Sequence, residues 1–163
     1  MMNVVKVRMA DLNTIGAPAR IRTTGLGSCV GIVLFDVKQK VGGMAHIMLP
    51  SSEIAKDNQF LNRAKYADTA VPLLFEKMLS IGASKENIVA KLAGGSQMFQ
   101  FNTSNDMLRI GPRNVEASKL ALSNIGIPLI AEDTGGNIGR TIELDTQTGI
   151  LHIKTANLGV KEI

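Results

Sequence analysis

The sequence predicts an α+β fold, a layered domain with a mixed, mainly antiparallel sheet core and two main helices. Three observations lead there. Apolar runs of strand length outnumber stretches of helical periodicity, those runs come in hairpins rather than strict βαβ alternation, and only two segments keep helical spacing.

Taken in order, Val4 to Met9 alternates apolar and charged residues and reads as a half-buried strand. Gly16 to Arg20, with Pro18, is a turn, and Ile21 to Thr24 is short and extended. After the small-residue stretch Gly25-Leu26-Gly27-Ser28, Cys29 to Phe35 is nearly all apolar, as suits a strand buried on both faces. Asp36 to Lys40 is polar and Val41 to Met48 resumes as a strand, so the two pair as a hairpin. Ser51 to Leu61 is polar and reads as a loop. Tyr66, Ala70, Leu73, Leu74, Met78 and Ile81 then recur at helical spacing. Pro72 inside that pattern predicts either a start near Asp68 or Thr69 or a kink, and Gly82 closes the helix.

Ile88 to Ala93 is a strand ending in Gly94-Gly95-Ser96, which reads as a turn because it lacks the spacing and lysine of a phosphate loop. Pro112 suits the first position of a second helix from about Arg113 to Ile125, stopped by Gly126. Ile127 to Glu132 is a strand, Gly135-Gly136-Asn137 a turn, and Arg140 to Leu144 with Ile150 to Thr155 a closing hairpin. No repeat, low-complexity tract or linker divides the 163 residues, so one domain over 1–163 is expected.

Hydrophobic residues make up 45% of the chain and charged residues 20%, which excludes disorder as the dominant state. Aromatics are 4%, so the core is aliphatic. The net charge of +4 comes from scattered Lys and Arg with no basic, aromatic-interleaved run, which argues against nucleic acid and allows an acidic protein partner. One cysteine cannot form an internal disulfide, no apolar run approaches the roughly 20 residues of a membrane span, and Lys6 and Arg8 interrupt the N-terminal apolar stretch. A cytoplasmic protein without direct membrane insertion is expected. One Cys and two His are too few for a structural zinc site, so neither metal nor cofactor is expected.

Cys29 follows a glycine-containing bend at the entrance to the buried strand. Such a bend can expose successive N–H groups beside a nucleophile, where they hold an acyl-transfer oxyanion. An inert buried thiol is the competing reading. The predicted hairpin, with its loop near Lys38, brings His46 close to Cys29 or Val30, where an imidazole can favour the thiolate; a core histidine is the alternative. His152 alternates with Lys154 and is expected to face solvent.

Six segments, in this order, resemble the CheD family of chemoreceptor glutamine deamidases: Thr23 to Cys29, Gly43 to Pro50 with His46, Lys65 to Ala70, Ala93 to Gly95, Ile110 to Asn114 and Glu132 to Asn137. The resemblance runs from about Val4 to Thr155. It implies a Cys–His–Thr triad of Cys29, His46 and Thr23, with Thr24 the rival third member and Thr23 preferred because the family's threonine lies six residues before its cysteine (29 − 23 = 6). In that mechanism the N–H groups around Ser28 and Cys29 hold the oxyanion. It also implies a β-sandwich-like core similar to that of toxin-type cysteine deamidases, and protein-glutamine glutaminase activity on methyl-accepting chemotaxis receptors. Further implications are the phosphatase CheC as a partner and a place at receptor arrays; Met98 and Phe99, apolar in an otherwise polar loop after Gly94-Gly95, are candidate contacts, with core packing the alternative reading. The reading from another class is a regulatory binding protein of the chemotaxis system with catalysis secondary.

Overall fold

The computed structural model describes residues 3–55, 61–97 and 109–163. Its organising element is β4 (Val30–Asp36), every residue of which is buried. Val30, Ile32 and Leu34 point to one side of it and Gly31, Val33 and Phe35 to the other, so both faces must be covered by apolar layers.

Two five-stranded sheets and two α-helices supply those layers among the described residues. The first sheet runs β2 (Leu12–Gly16), β5 (Val41–Ile47), β4, β6 (Ile88–Gly94) and β7 (Leu129–Thr134). The second runs β1 (Val4–Lys6), β3 (Arg20–Leu26), β8 (Arg140–Asp145), β9 (Leu151–Thr155) and β10 (Gly159–Glu162). Only β1 with β3 and β6 with β7 pair in parallel; the other pairs are antiparallel. On one face of the first sheet lie α1 (Ala67–Ser80) and α2 (Ile110–Ile125), which bury Leu74, Met78 and Leu122 against Ile32, Leu34 and Leu92. On the other face the second sheet packs Ile21, Leu26, Ile142 and Leu144 against Val33, Phe35 and Met44. The fold is the predicted α+β class, with a sandwich of two mixed sheets and helices on one outer side.

Missing side chains set how closely the sheets approach. A Cβ on Gly31 would lie 2.5 Å from Ile142 Cδ1, and one on Gly42 would lie 2.6 Å from Leu144 Cδ2.

Several boundaries differ from the sequence expectation for local reasons. The strand expected over Val4 to Met9 ends at Lys6, and the chain then crosses between sheets to form β2, a strand the sequence reading lacks. Leu12 and Ile15 are three residues apart and so fall on opposite faces, one in each core, which breaks the simple alternation. β10 was also unforeseen: all four of its residues are exposed, leaving no apolar pattern to read, and its ladder to β9 holds it.

Helix α1 begins at Ala67, just before the expected caps, and carries Pro72 in its second turn without ending there. Helix α2 begins at Ile110, so Pro112 sits in its first turn, where no N–H is needed. Gly126, at φ 74°, ends α2 and returns its N–H to Leu122 and Ser123 carbonyls. The loop expected over Ser51 to Leu61 contains a short 3₁₀ turn at Ser52–Ile54, and residues 56–60 lie outside the described residues.

Gly94 ends β6 against the Cys29 carbonyl: its φ is 110°, and a Cβ there would lie 2.3 Å from that oxygen. Gly136 also has positive φ, 75°, but nothing stands within 4 Å of a Cβ added there. Gly136→Ala should cost about 1 kcal/mol. Gly94→Ala, which combines strain with a backbone clash, should cost about 3 kcal/mol or more. Urea unfolding midpoints of the two variants check the difference.

Candidate active site

Cys29 occupies the last position of the bend before β4 and is 8% exposed. It continues the β4 face that carries Gly31 and Val33, the face turned to the second sheet. In the β4–β5 ladder Gly31 is paired with His46. The expected hairpin sets His46 beside Cys29 or Val30; the observed register sets it one residue further along, diagonal to Cys29 on the same face. His46 is completely buried.

The third residue comes from the other sheet. Thr23 Oγ1 on β3 lies 2.7 Å from His46 Nδ1 and 2.7 Å from the Val7 carbonyl oxygen. The hydroxyl has one proton, and the carbonyl can only accept, so Thr23 donates to Val7 and accepts from His46. Nδ1 therefore carries the imidazole proton. In the neutral ring Nε2 then holds a bare lone pair, and this atom is buried with no hydrogen-bond partner. Thr24, the rival, is exposed on the opposite face of β3. Of the two threonines, the fold brings Thr23 to the histidine.

Burial pushes the His46 pKa down, which keeps the ring in its unprotonated form at neutral pH. The Cys29 thiol is pushed up by burial, and the hydrogen bond from its own backbone N–H offsets this only in part. This corrects the sequence expectation of a favoured thiolate: the resting pair is a neutral thiol and a neutral imidazole, because desolvation penalises both charged forms.

The bend itself is held from outside. Gly27 carbonyl accepts from Ser96 N–H at 2.8 Å, and Cys29 carbonyl accepts from Gly95 N–H at 2.8 Å. Gly94 closes β6, and Gly95-Ser96 run on beside the cysteine loop and grip it instead of forming the expected turn. Ser96 is in turn fixed by its hydroxyl, which donates to the Ile138 carbonyl at 2.6 Å and accepts from Arg140 Nη1 at 2.9 Å. Arg140 is paired with Asp133 at 3.1 Å. The Ser28 carbonyl is held by Asn114 Nδ2 at 2.9 Å, and the same nitrogen reaches the Met48 carbonyl at 3.0 Å.

Sequence reasoning assigned no site role to Asn114, Ser96 or Arg140, although each lies in or beside one of the ordered motifs. The motifs Ile110–Asn114 and Glu132–Asn137 were the signal that the second helix and the β7–β8 turn serve the same bend.

The remaining candidates lie elsewhere. His152 is on β9 of the second sheet, with Nδ1 3.6 Å from Glu162. Met98 and Phe99 lie outside the described residues. Among the described residues no three His, Cys, Asp or Glu side chains gather as a metal cluster, and no helix is long and apolar enough to cross a membrane.

Fold and site together define a helix-flanked β-sandwich holding a buried cysteine beside a threonine-tethered histidine, the side-chain set of thiol hydrolases. A family model described as CheD chemotactic sensory transduction matches residues 48–155. A chemoreceptor glutamine deamidase CheD of Halalkalibacterium halodurans is 58% identical over 163 residues, all of both chains. That of Bacillus subtilis is 51% identical over 160 residues, 98% of this chain and 96% of its own. The chain belongs to the CheD family. The family-model match begins two residues after His46, whereas the Halalkalibacterium relative aligns across the whole site. A Neisseria meningitidis protein of the DUF152 family shares the fold alone, with a TM-score of 0.51 and 9% identity over 84% of this chain and 65% of its own.

A buried thiol that rests protonated makes a prediction about pH. Iodoacetamide captures the thiolate, so its rate should rise with pH and inflect above the ordinary range of a free cysteine. Mass spectrometry of the Cys29 adduct across pH reads this; an inflection below that range would mean a preformed thiolate.

Proposed function

We propose that the protein deamidates glutamine side chains of methyl-accepting chemotaxis receptors, using Cys29 as nucleophile, His46 as acid–base and Thr23 as the residue that orients the imidazole. It is an enzyme of the protein-glutamine glutaminase class, an amidohydrolase. The observation that carries the residue assignment is the chain from His46 Nδ1 through Thr23 Oγ1 to the Val7 carbonyl, since it leaves Nε2 as an unpartnered buried base.

The chemistry follows from that protonation state. Nε2 takes the thiol proton as Cys29 Sγ attacks the carboxamide carbon, so charge appears only when substrate is in place. The N–H groups of Ser28 and Cys29 receive the developing oxyanion. The imidazolium then gives its proton to the leaving amine and ammonia departs, leaving a thioester. Nε2 next deprotonates a water that attacks the thioester carbon, and the product carboxyl leaves as the thiol regains its proton. The net change is amide plus water to acid plus ammonia.

Chemotaxis receptors as substrate rest on the names of the relatives, both chemoreceptor glutamine deamidases. A place in the cytoplasm at receptor arrays and binding to the phosphatase CheC accompany this reading. So does a chain acting as one catalytic domain.

Incubation of the purified protein with a receptor cytoplasmic fragment, read by peptide mass spectrometry, should show Gln-to-Glu conversion that Cys29→Ala abolishes. Conversion by Cys29→Ala at the wild-type rate would overturn the nucleophile assignment. No conversion by wild type would favour a regulatory binding protein. Thr23→Val removes the acceptor for Nδ1–H and should lower kcat by about 10- to 100-fold, a part of the acid–base contribution, with KM little changed.

A further inference from the structure

Three consecutive carbonyls of the cysteine bend are gripped by groups outside it: Gly27 by Ser96 N–H, Ser28 by Asn114 Nδ2 and Cys29 by Gly95 N–H. Two of the grips are backbone to backbone. The third is made by a side chain, and Asn114 is fully buried on α2, 86 residues along the chain from Ser28.

A trans peptide points its C=O and N–H in opposite directions. Fixing the Ser28 oxygen therefore fixes the direction of the Cys29 N–H, which is aimed away from Asn114. That N–H has no carbonyl or side-chain oxygen as acceptor among the described residues. Its interaction with its own side chain lowers the thiol pKa and offsets part of the effect of burial. An N–H held near the nucleophilic sulfur and otherwise unused is placed to receive an oxyanion forming on the carbon bonded to that sulfur.

The second proton of the Asn114 amide is used as well. Nδ2 donates to the Met48 carbonyl at 3.0 Å, two residues beyond His46. The β4–β5 pairing runs Gly31 with His46 and Val30 with Ile47, so its next step sets Met48 across from Cys29. One amide nitrogen thus ties the nucleophile's bend to the end of the strand that carries the base. Both acceptors are carbonyls, so only the nitrogen end of the amide can serve them.

We propose that Asn114 is a positioning residue for the acyl-transfer step: by holding the Ser28 and Met48 carbonyls it aims the Cys29 N–H as an oxyanion donor and sets Cys29 against His46. The inference rests on Cys29 acting as the nucleophile.

Kinetics on the receptor fragment test it. Asn114→Ala should lower kcat by about 10- to 100-fold, part of what a single oxyanion donor contributes, while KM stays within about twofold. Asn114→Ser, which keeps one donor on a shorter side chain, should fall between. Wild-type kcat in a folded Asn114→Ala, alongside an inactive Cys29→Ala, would overturn the positioning role and leave the nucleophile standing. Full activity of Cys29→Ala would instead remove the reading beneath it. A loss carried in KM with kcat unchanged would also count against positioning.

A measurement on the wild type covers the case in which both variants fail to fold. A peptide bearing an aldehyde in place of the glutamine carboxamide adds the Cys29 thiol across its C=O to give a hemithioacetal. The Cys29 amide proton should move downfield on adduct formation in ¹⁵N-resolved NMR; an unmoved resonance would overturn the proposal.

Discussion

Strand β4 is apolar on both faces, and the rest of the structure follows from that constraint. A strand buried on both sides needs a layer above and below, here two helices on one face and a second sheet on the other. The same alternation that sorts Val30, Ile32 and Leu34 from Val33 and Phe35 sends Cys29 toward the second sheet. It is the antiparallel pairing with β5 that then puts His46 on the same side. A slip of one residue would turn His46 toward the helices and dismantle the pair.

The site is assembled across the sandwich rather than within one element. Cysteine and histidine belong to the first sheet, and threonine to the second, so the Thr23–His46 hydrogen bond forms only when the sheets are packed. Gly31 helps make that possible, since no side chain there holds the second sheet away. Once packed, the sandwich excludes water, and exclusion decides the protonation states. Both the thiol and the imidazole are held neutral by desolvation. In the proposed reaction such a pair moves a proton during attack rather than storing an ion pair at rest.

The bend before β4 depends equally on remote parts of the chain. Gly95 and Ser96 hold it from the end of β6, Asn114 from α2, and Arg140 braces Ser96 from β8. Such a scaffold limits the freedom of a glycine-containing loop that would otherwise sample many conformations. Segments separated by tens of residues along the chain thus meet at one loop.

Much of this was legible beforehand. Alternation and hairpin spacing predicted the α+β class, the pairing of β4 with β5 and the nearness of His46 to Cys29, because these depend on local periodicity and a short loop. The ordered motifs pointed to Thr23 over Thr24, and the faces of β3 agree, with Thr23 inward and Thr24 exposed. β2 and β10 were not legible: one sends its apolar residues to two different cores and the other is exposed throughout, so neither leaves a periodic trace. By itself, then, the sequence determined which residues are candidates for the chemistry and which strands pair locally. Tertiary structure decided which nitrogen of His46 bears the proton, that the Cys29 thiol rests protonated, and that Asn114 holds the bend. Those properties arise from burial and from partners distant in sequence, which no local pattern encodes.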